Sequence, residues 1–432
     1  KIAAHCGASV DVPTTPAAAG ARLTDIAAAR EEPSRALAGL ACACVASLAG
    51  EFVARGRAKH ANAQDLANMC YALALLGLGD DAAWDSALLP RLLQIAPLFR
   101  PHALASVFWA LGRLQKRPPP HVLHALVAQA MHLLAEHGRQ PAEGHRGRQG
   151  MRGTVDLVRE RTQLPQFLSN VTWALARLQE RDKSLLASVE TAFLDVAGQA
   201  NVQNIANMLW AFATLEEPGQ RLFPELSGRV QGLARDGRLG AQSLSNILWA
   251  YAKAGYYDVS LFDSFSVACQ AALPRFNSQD LANCAWALGQ VSHRDKRLFA
   301  AVARAVPRSL PDMSPQEVSQ VLWSMATLNF TSKLVCEAVS ARVVTELRDP
   351  GAAAAWRMQT LANVAWAYAV MMPDDVELFT AVFARVDITL TLDEAPGEGP
   401  SVRGGGNPEP DPSDPGASDI RHKRQLFQAH LA

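Results

Sequence analysis

One phrase, Q-x-L-A-N-x-x-W-A, recurs eight times along this chain, and a repeat of that kind constrains the fold more than any other feature. It reads QDLANMCYA from Gln64, HALASVFWA from His102, QFLSNVTWA from Gln166 and QNIANMLWA from Gln203. It continues as QSLSNILWA from Gln242, QDLANCAWA from Gln279, QEVSQVLWS from Gln316 and QTLANVAWA from Gln359. The aromatic anchors are Tyr71, Trp109, Trp173, Trp210, Trp249, Trp286, Trp323 and Trp366, separated by 38, 64, 37, 39, 37, 37 and 43 residues. The long gap is one repeat plus an insertion of about 26 residues.

Each unit reads as two helices. The first carries the phrase and runs to a break such as EEPGQ (216–220) or KAGYYD (253–258); a second amphipathic segment follows, such as Leu222 to Ala234 or Leu261 to Leu273. Helix pairs of this length cannot bury their apolar faces alone and stack into a solenoid. The chain is therefore expected to be all-α: a right-handed α-solenoid of about eight helix–turn–helix repeats of ~38 residues over 35–390. Ser34 to Ala54 reads as the second helix of an earlier, truncated repeat.

A helical wheel refines this, numbering each phrase from its Gln as position 1. Positions 3, 6, 7, 10 and 13 cluster near about 280° and are nearly all apolar. Positions 4 and 11 are small, so another backbone can approach. Positions 1, 5 and 12 lie near about 120°, position 2 near about 200°, and the aromatic at position 8 near about 80°. A helix apolar on so many sides is an inner layer, with a narrow polar stripe expected on the concave surface.

Two segments fall outside the array. The insertion, about 137–162, contains HGRQPAEGHRGRQGMRG and reads as a disordered, basic loop. Residues 391–419 form an acidic linker rich in Pro and Gly, also expected to be disordered. The first 34 residues, small and poor in acid, read as a disordered start or the remnant of a transit peptide on a chain that begins at Lys1 without a methionine. At the other end RHKRQLFQAHLA (421–432) reads as the start of a truncated helix.

Composition excludes several classes. Forty-one Lys plus Arg balance 41 Asp plus Glu, so nucleic-acid contact would have to come from local patches. Hydrophobic residues at 49% suit a folded core. Seven cysteines without a C-x-x-C support neither a disulfide framework nor a zinc ribbon, and a reducing compartment is the simplest setting. The longest apolar run, 36–50, is too short for the roughly 20 residues of a membrane span, so no membrane insertion is expected. His121 and His124 form an H-x-x-H without a third ligand, and no Walker A, G-x-G-x-x-G, G-x-S-x-G or H-E-x-x-H occurs. No enzyme activity, cofactor or metal is expected.

The phrase, its spacing and the Ala/Leu-rich composition resemble the octotricopeptide repeat proteins of green algae, over residues 61–390. Related repeats precede a C-terminal RAP domain in the FAST-kinase-like family, and QLFQAHLA resembles the lead-in to such a domain. The resemblance implies a factor that binds single-stranded organelle RNA and acts on its stability, processing or translation. It implies residence in the chloroplast stroma or, alternatively, the mitochondrial matrix, in the company of RNA-processing or ribosomal proteins. Two other readings stand beside it: a protein-binding solenoid scaffold, which zero net charge favours, and an RNA-processing factor whose RAP-like domain lies beyond residue 432.

The candidate RNA-binding residues follow the stripe. Position 5 supplies Asn68, Asn170, Asn207, Asn246, Asn283 and Asn363; position 12 supplies Arg113, Arg177, Thr214, Lys253, Gln290 and Thr327; position 2 supplies Asn204, Ser243 and Asp280. A constant frame beside variable polar positions suits readout of one base per repeat, on the order of eight nucleotides. The Asn residues serve equally as ties between repeats, since buried amides need partners. The aromatics suit stacking on bases, but an invariant anchor flanked by small residues reads first as packing between repeats. Arg139, Arg146, Arg148, Arg152, Arg159 and Arg161 of the insertion are candidates for phosphate contact or for a solvated loop.

Overall fold

In a computed structural model the structure describes residues 51, 60–79, 83–139, 151–217, 219 and 221–393; side chains at 137–139, 151–162 and 387–393 are outside that description. The described residues are helical, without strands. In chain order the helices are α1 (Ala63–Leu75), α2 (Leu89–Ile95, entered through a π-turn at Trp84–Leu88), α3 (Pro101–Leu114), α4 (Pro120–Arg139), α5 (Met151–Arg177), α6 (Lys183–Val196), α7 (Val202–Thr214) and α8 (Leu222–Arg235). They continue as α9 (Ala241–Lys253), α10 (Val259–Ala272), α11 (Ser278–Gln290), α12 (Lys296–Ser309), α13 (Pro315–Thr327), α14 (Lys333–Arg348), α15 (Met358–Met371) and α16 (Val376–Asp393), with one short turn at Pro350–Ala353. Every phrase lies on an odd-numbered helix and every even-numbered helix is its partner, so the expected two-helix repeat holds in all eight copies.

The chain divides into two compact units, Lys1–Leu222 and Phe223–Ala432. In the first, α1 packs on α3, α3 on α5 and α5 on α7, while α2, α4 and α6 make a second layer. In the second unit α9, α11, α13 and α15 pack in sequence, and α10, α12, α14 and α16 form the other layer. Each unit is thus a solenoid-like stack. Position 3 of every phrase, Leu66 through Leu361, is at most 1% exposed. Each such side chain contributes roughly 2 kcal/mol by leaving water.

Small residues at position 11 set how closely phrase helices approach. A Cβ on Gly112 would stand 2.8 Å from Ala174 Cα, and one on Gly289 would stand 3.0 Å from Ser324 Cα. Position 14, just past the helix end, takes a left-handed conformation at Gly77, Gln115, Gln179, Glu216, Gly255, Ser292 and Asn329. The chain reverses there through paired backbone bonds such as Gln115 N–H to Gly112 O and Lys116 N–H to Leu111 O.

The starts of the phrase helices explain position 2. Asn62 with Asp65, Asn201 with Asn204, Asn277 with Asp280 and Ser314 with Glu317 form reciprocal capping boxes. Where the residue before the helix cannot cap, at Arg100, Gly240 and Arg357, position 2 is Ala103, Ser243 or Thr360.

Polar side chains of the second layer tie down the links between repeats. The Arg91 guanidinium donates to Ala61 O at 2.8 and 3.0 Å, and Gln129 Nε2 to Phe99 O at 2.8 Å. Arg342 donates to the carbonyls of Leu310 and Met313 while Nε holds Glu346. Arg342→Met should strand those two carbonyls and lower the stability of the α12–α14 region by about 2–3 kcal/mol, read by native-state hydrogen exchange.

Several boundaries differ from expectation. The insertion was read as disordered over 137–162, yet α4 runs to Arg139 and α5 already begins at Met151. The helix breakers Gly138, Pro141, Gly144, Gly147 and Gly150 end at 150, and 151–162 holds only one more glycine among good helix formers. Likewise α16 continues to Asp393, into the stretch read as linker, because the Pro/Gly-rich composition starts only after it. The segments 1–34, the earlier repeat expected at 34–54, the rest of the linker and 420–432 lie outside the described residues, apart from Glu51.

Candidate nucleic-acid interface

Positions 1, 5, 8 and 12 share one face of each phrase helix, since steps of four, three and four residues return to the same side. Position 5 side chains sit at its surface: Asn68 is exposed, and Asn170, Asn207, Asn246, Asn283 and Asn363 are half-buried. In the first unit a Gln one turn earlier holds the Asn. Gln64 Nε2 donates to Asn68 Oδ1 at 2.9 Å, Gln166 to Asn170 at 2.7 Å, and Gln203 to Asn207 at 2.8 Å. These ties run within one helix, so the alternative that position 5 joins adjacent repeats does not describe them.

The aromatics are divided between packing and surface. Trp109, Trp210, Trp249, Trp286, Trp323 and Trp366 are half-buried, Tyr71 is 41% exposed, and only Trp173, at 7%, is buried. In the first unit the rings of Tyr71 and Trp109 are 4.8 Å apart, tilted by 36°. In the second, Trp249 and Trp286 are 5.8 Å apart at 33°. Each unit therefore carries flat aromatic surface beside its amide row. Sequence spacing held this signal, because position 8 lies about 40° from position 12 and about 60° from position 5 on the wheel.

Position 12 is mixed. Lys253 and Gln290 are exposed, while Arg113, Arg177, Thr214 and Thr327 are half-buried. Arg113 Nε donates to Ala74 O at 2.8 Å and its guanidinium lies 5.4 Å from the Trp109 ring centroid, so it caps the end of α1 as well as lining the face. Arg177 lies 6.0 Å from the Trp173 centroid, and burial pulls its guanidinium below the usual arginine range. Arg177 Nε, Thr214 Oγ1 and Thr327 Oγ1 are buried without a hydrogen-bond partner.

Position 2 requires a correction. Asn204 and Asp280, expected on the accessible stripe, are 3% and 5% exposed. Asn204 Nδ2 bonds Gln166 Oε1 at 3.0 Å and Ser169 Oγ at 3.2 Å in the preceding repeat. Asp280 accepts from Ser245 Oγ at 2.6 Å. Both pair with a serine at position 4 and cap their own helix, so neither reaches solvent. Ser243 is half-buried.

A cavity of ≈ 930 Å³ in the first unit is lined by Asp85, Lys116, Arg117, His124, Glu180 and others. Its charges pair with one another, Lys116 with Asp85 at 3.4 Å and Arg117 with Glu180 at 2.6 Å. His121 and His124 are exposed, and no group of three metal-binding side chains occurs among the described residues. No described helix is long and apolar enough to cross a membrane. The side chains of the insertion arginines from Arg139 to Arg161 lie outside the described residues. Cys70, Cys269, Cys284 and Cys336 are buried free thiols, and burial pushes Cys70 up to about 12, which leaves it unreactive.

His293 is a buried histidine of the second unit. Its Nδ1 meets Tyr257 Oη at 3.1 Å, and its Nε2 lies 3.5 Å from Asp263 Oδ1. Burial lowers its pKa, against the opposing pull of Asp263 and Asp295. Burial wins because Asp263 is 66% exposed and screened by water. The unfolded chain binds the extra proton, so stability is full above about pH 6.5 and declines as pH falls below it. Hydrogen exchange across α10–α12 should show that decline, and His293→Gln should flatten it.

Among curated proteins no sequence matches this chain. A family model, RNA-editing substrate-binding complex 6 protein, matches residues 148–371, which is 224 of the 432 residues and takes in the phrase helices from α5 to α15. An aromatic and amide face repeated on stacked helices is the kind of surface a single-stranded nucleic acid can follow, and with more than half its length matched the chain belongs to the family of RNA-editing substrate-binding complex 6 proteins, an RNA-associated helical family.

Proposed function

We propose that this chain binds single-stranded RNA along the phrase-helix face, the bases stacking on the position 8 aromatics and reading the amides at position 5. The observation that carries this is the recurrence of one surface, with an aromatic at position 8, a polar side chain at position 5 and a variable position 12 in the same order on successive phrase helices of each unit. Stacking is tolerant of sequence, and the variable positions beside it supply selectivity. Membership of a family named for binding RNA-editing substrates supports an RNA ligand. In finer terms, the chain acts without catalysis of its own on organelle RNA, in its stability, processing or translation, as the octotricopeptide likeness implies. The chloroplast stroma is the preferred setting and the mitochondrial matrix the other. The variety at position 12, from Arg113 to Thr327, argues for readout of different bases by different repeats.

The balanced charge favours a second reading, a scaffold that binds proteins. Ultraviolet crosslinking in cells, with sequencing of the recovered RNA and mapping of the crosslinked peptides, separates the two. Organelle transcripts crosslinked to peptides that contain Trp210, Trp249 or Trp286 are expected. Recovery of protein partners alone, without RNA, would replace RNA binding by the scaffold.

A further inference from the structure

The orientation of a carboxamide follows from its partners, and at one place in the first unit the chain of partners begins at a group that can only donate. The backbone N–H of Asn201 donates to Asn204 Oδ1 at 3.2 Å, which turns Asn204 Nδ2 toward the preceding repeat. Nδ2 meets Gln166 Oε1 at 3.0 Å and Ser169 Oγ at 3.2 Å. The Ser169 hydroxyl spends its proton on Gln166 O at 3.2 Å, so towards Asn204 it accepts, an independent check on the same orientation. With Oε1 engaged, Gln166 presents Nε2 to Asn170 Oδ1 at 2.7 Å. The relay ends at the surface with Asn170 Nδ2, whose two protons meet no acceptor among the described residues.

Two neighbours on the same face extend this polarity. Trp173 lies one turn further on and Arg177 a turn beyond it; Arg177 has no acceptor, and its buried Nε is unpaired. Both amide oxygens, Gln166 Oε1 and Asn170 Oδ1, already accept one hydrogen bond from within the relay, which turns each of them inward and the Asn170 Nδ2 protons outward. The patch made by Asn170 and Arg177 therefore offers donors.

We infer that the third repeat reads a keto base, uracil or guanine, through Asn170 Nδ2, and that buried Asn204 of the next repeat is a positioning residue that sets the polarity of that reading. This rests on single-stranded RNA binding along the phrase-helix face. Uracil O4 and guanine O6 accept from Asn170 Nδ2. The N4 amino group of cytosine and the N6 amino group of adenine meet a second donor and lose a hydrogen bond. The same logic makes position 2 part of a code read at a distance. Asp280 occupies the equivalent place in the sixth repeat, and a carboxylate has no proton to send along such a relay.

The test measures fluorescence anisotropy of dodecauridylate and dodecacytidylate with the full chain, reading the ratio of the two dissociation constants. Asn170→Asp replaces donor by acceptor at the surface and should shift the ratio towards cytidine by about fivefold, the worth of one neutral hydrogen bond. Asn204→Asp should shift it the same way without touching RNA. The carboxylate keeps the Asn201 cap but turns Gln166 to donate inward; Gln166 Oε1 then faces Asn170, whose Oδ1 turns outward. A purely structural role for Asn204 would weaken both oligonucleotides equally and leave the ratio alone. An unchanged ratio in Asn170→Asp, with both oligonucleotides bound, overturns the keto reading, and an unchanged ratio in Asn204→Asp alone overturns the relay. Failure of the unmodified chain to bind either oligonucleotide would instead sink the RNA reading beneath them. Asn170 is a surface residue, so Asn170→Asp is expected to fold, and hydrogen exchange in α5 and α7 checks the packing of both variants.

Discussion

Replacing Trp249 and Trp286 together by alanine should weaken binding of a twelve-nucleotide single-stranded RNA by at least about 30-fold. Base–aromatic stacking is worth about 1–3 kcal/mol per base, and the two indoles form one tilted pair at 5.8 Å. The loss should be insensitive to base identity, unlike the loss at Asn170. Replacement by phenylalanine should restore most of the affinity, because a smaller π-face still stacks. Both indoles are half-buried, so some packing is lost as well. Circular dichroism and hydrogen exchange on α9 and α11 separate the two effects. A double variant that binds RNA normally while α9 and α11 open would return the tryptophans to a packing role.

The second large effect concerns the seam between phrase helices. Gly112→Val should destabilise the contact of α3 with α5 by about 3 kcal/mol. Its Cβ would meet the Ala174 backbone at 2.8 Å and the Trp173 ring at 3.1 Å, and the backbone contact cannot yield by rotating a side chain. In a stack of repeats each unit depends mainly on its neighbours, so the damage should stay local. Hydrogen exchange should rise in α3 and α5 of the first unit while α11 to α16 keep their protection. A uniform loss across both units would mean that the whole chain unfolds as one cooperative body.

The phrase made the fold legible for a physical reason. Its apolar positions recur at helical spacing and its period returns eight times, so each copy reports on the same buried environment. Leu66, Leu104, Leu168, Ile205, Leu244, Leu281, Val318 and Leu361 are almost fully buried, as the wheel required. The placement of position 5 at the surface of the phrase helix was legible for the same reason. Asn204 and Asp280 were not, because a polar residue at position 2 is compatible with solvent until the cap before it is recognised. The capping pairs Asn201 with Asn204 and Asn277 with Asp280 were present in the sequence at the required spacing of three. The tryptophans lie between these cases: large aromatic residues among alanines suit packing between repeats, and most of them are half-buried, with one edge left at the face.

What the sequence determined by itself was local and periodic: the helices, their pairing into repeats, the apolar stripe and the small positions at which backbones touch. These depend on spacing along one helix, and eight copies average away the noise of any one. What only the tertiary structure decided was which polar groups meet across helices. Arg113 reaches Ala74, thirty-nine residues back; Arg342 holds the carbonyls of Leu310 and Met313; Asn204 turns the amide of Gln166. A hydrogen bond is settled by a few tenths of an ångström and by the direction of its donor. Spacing along a chain fixes neither until neighbouring repeats have docked.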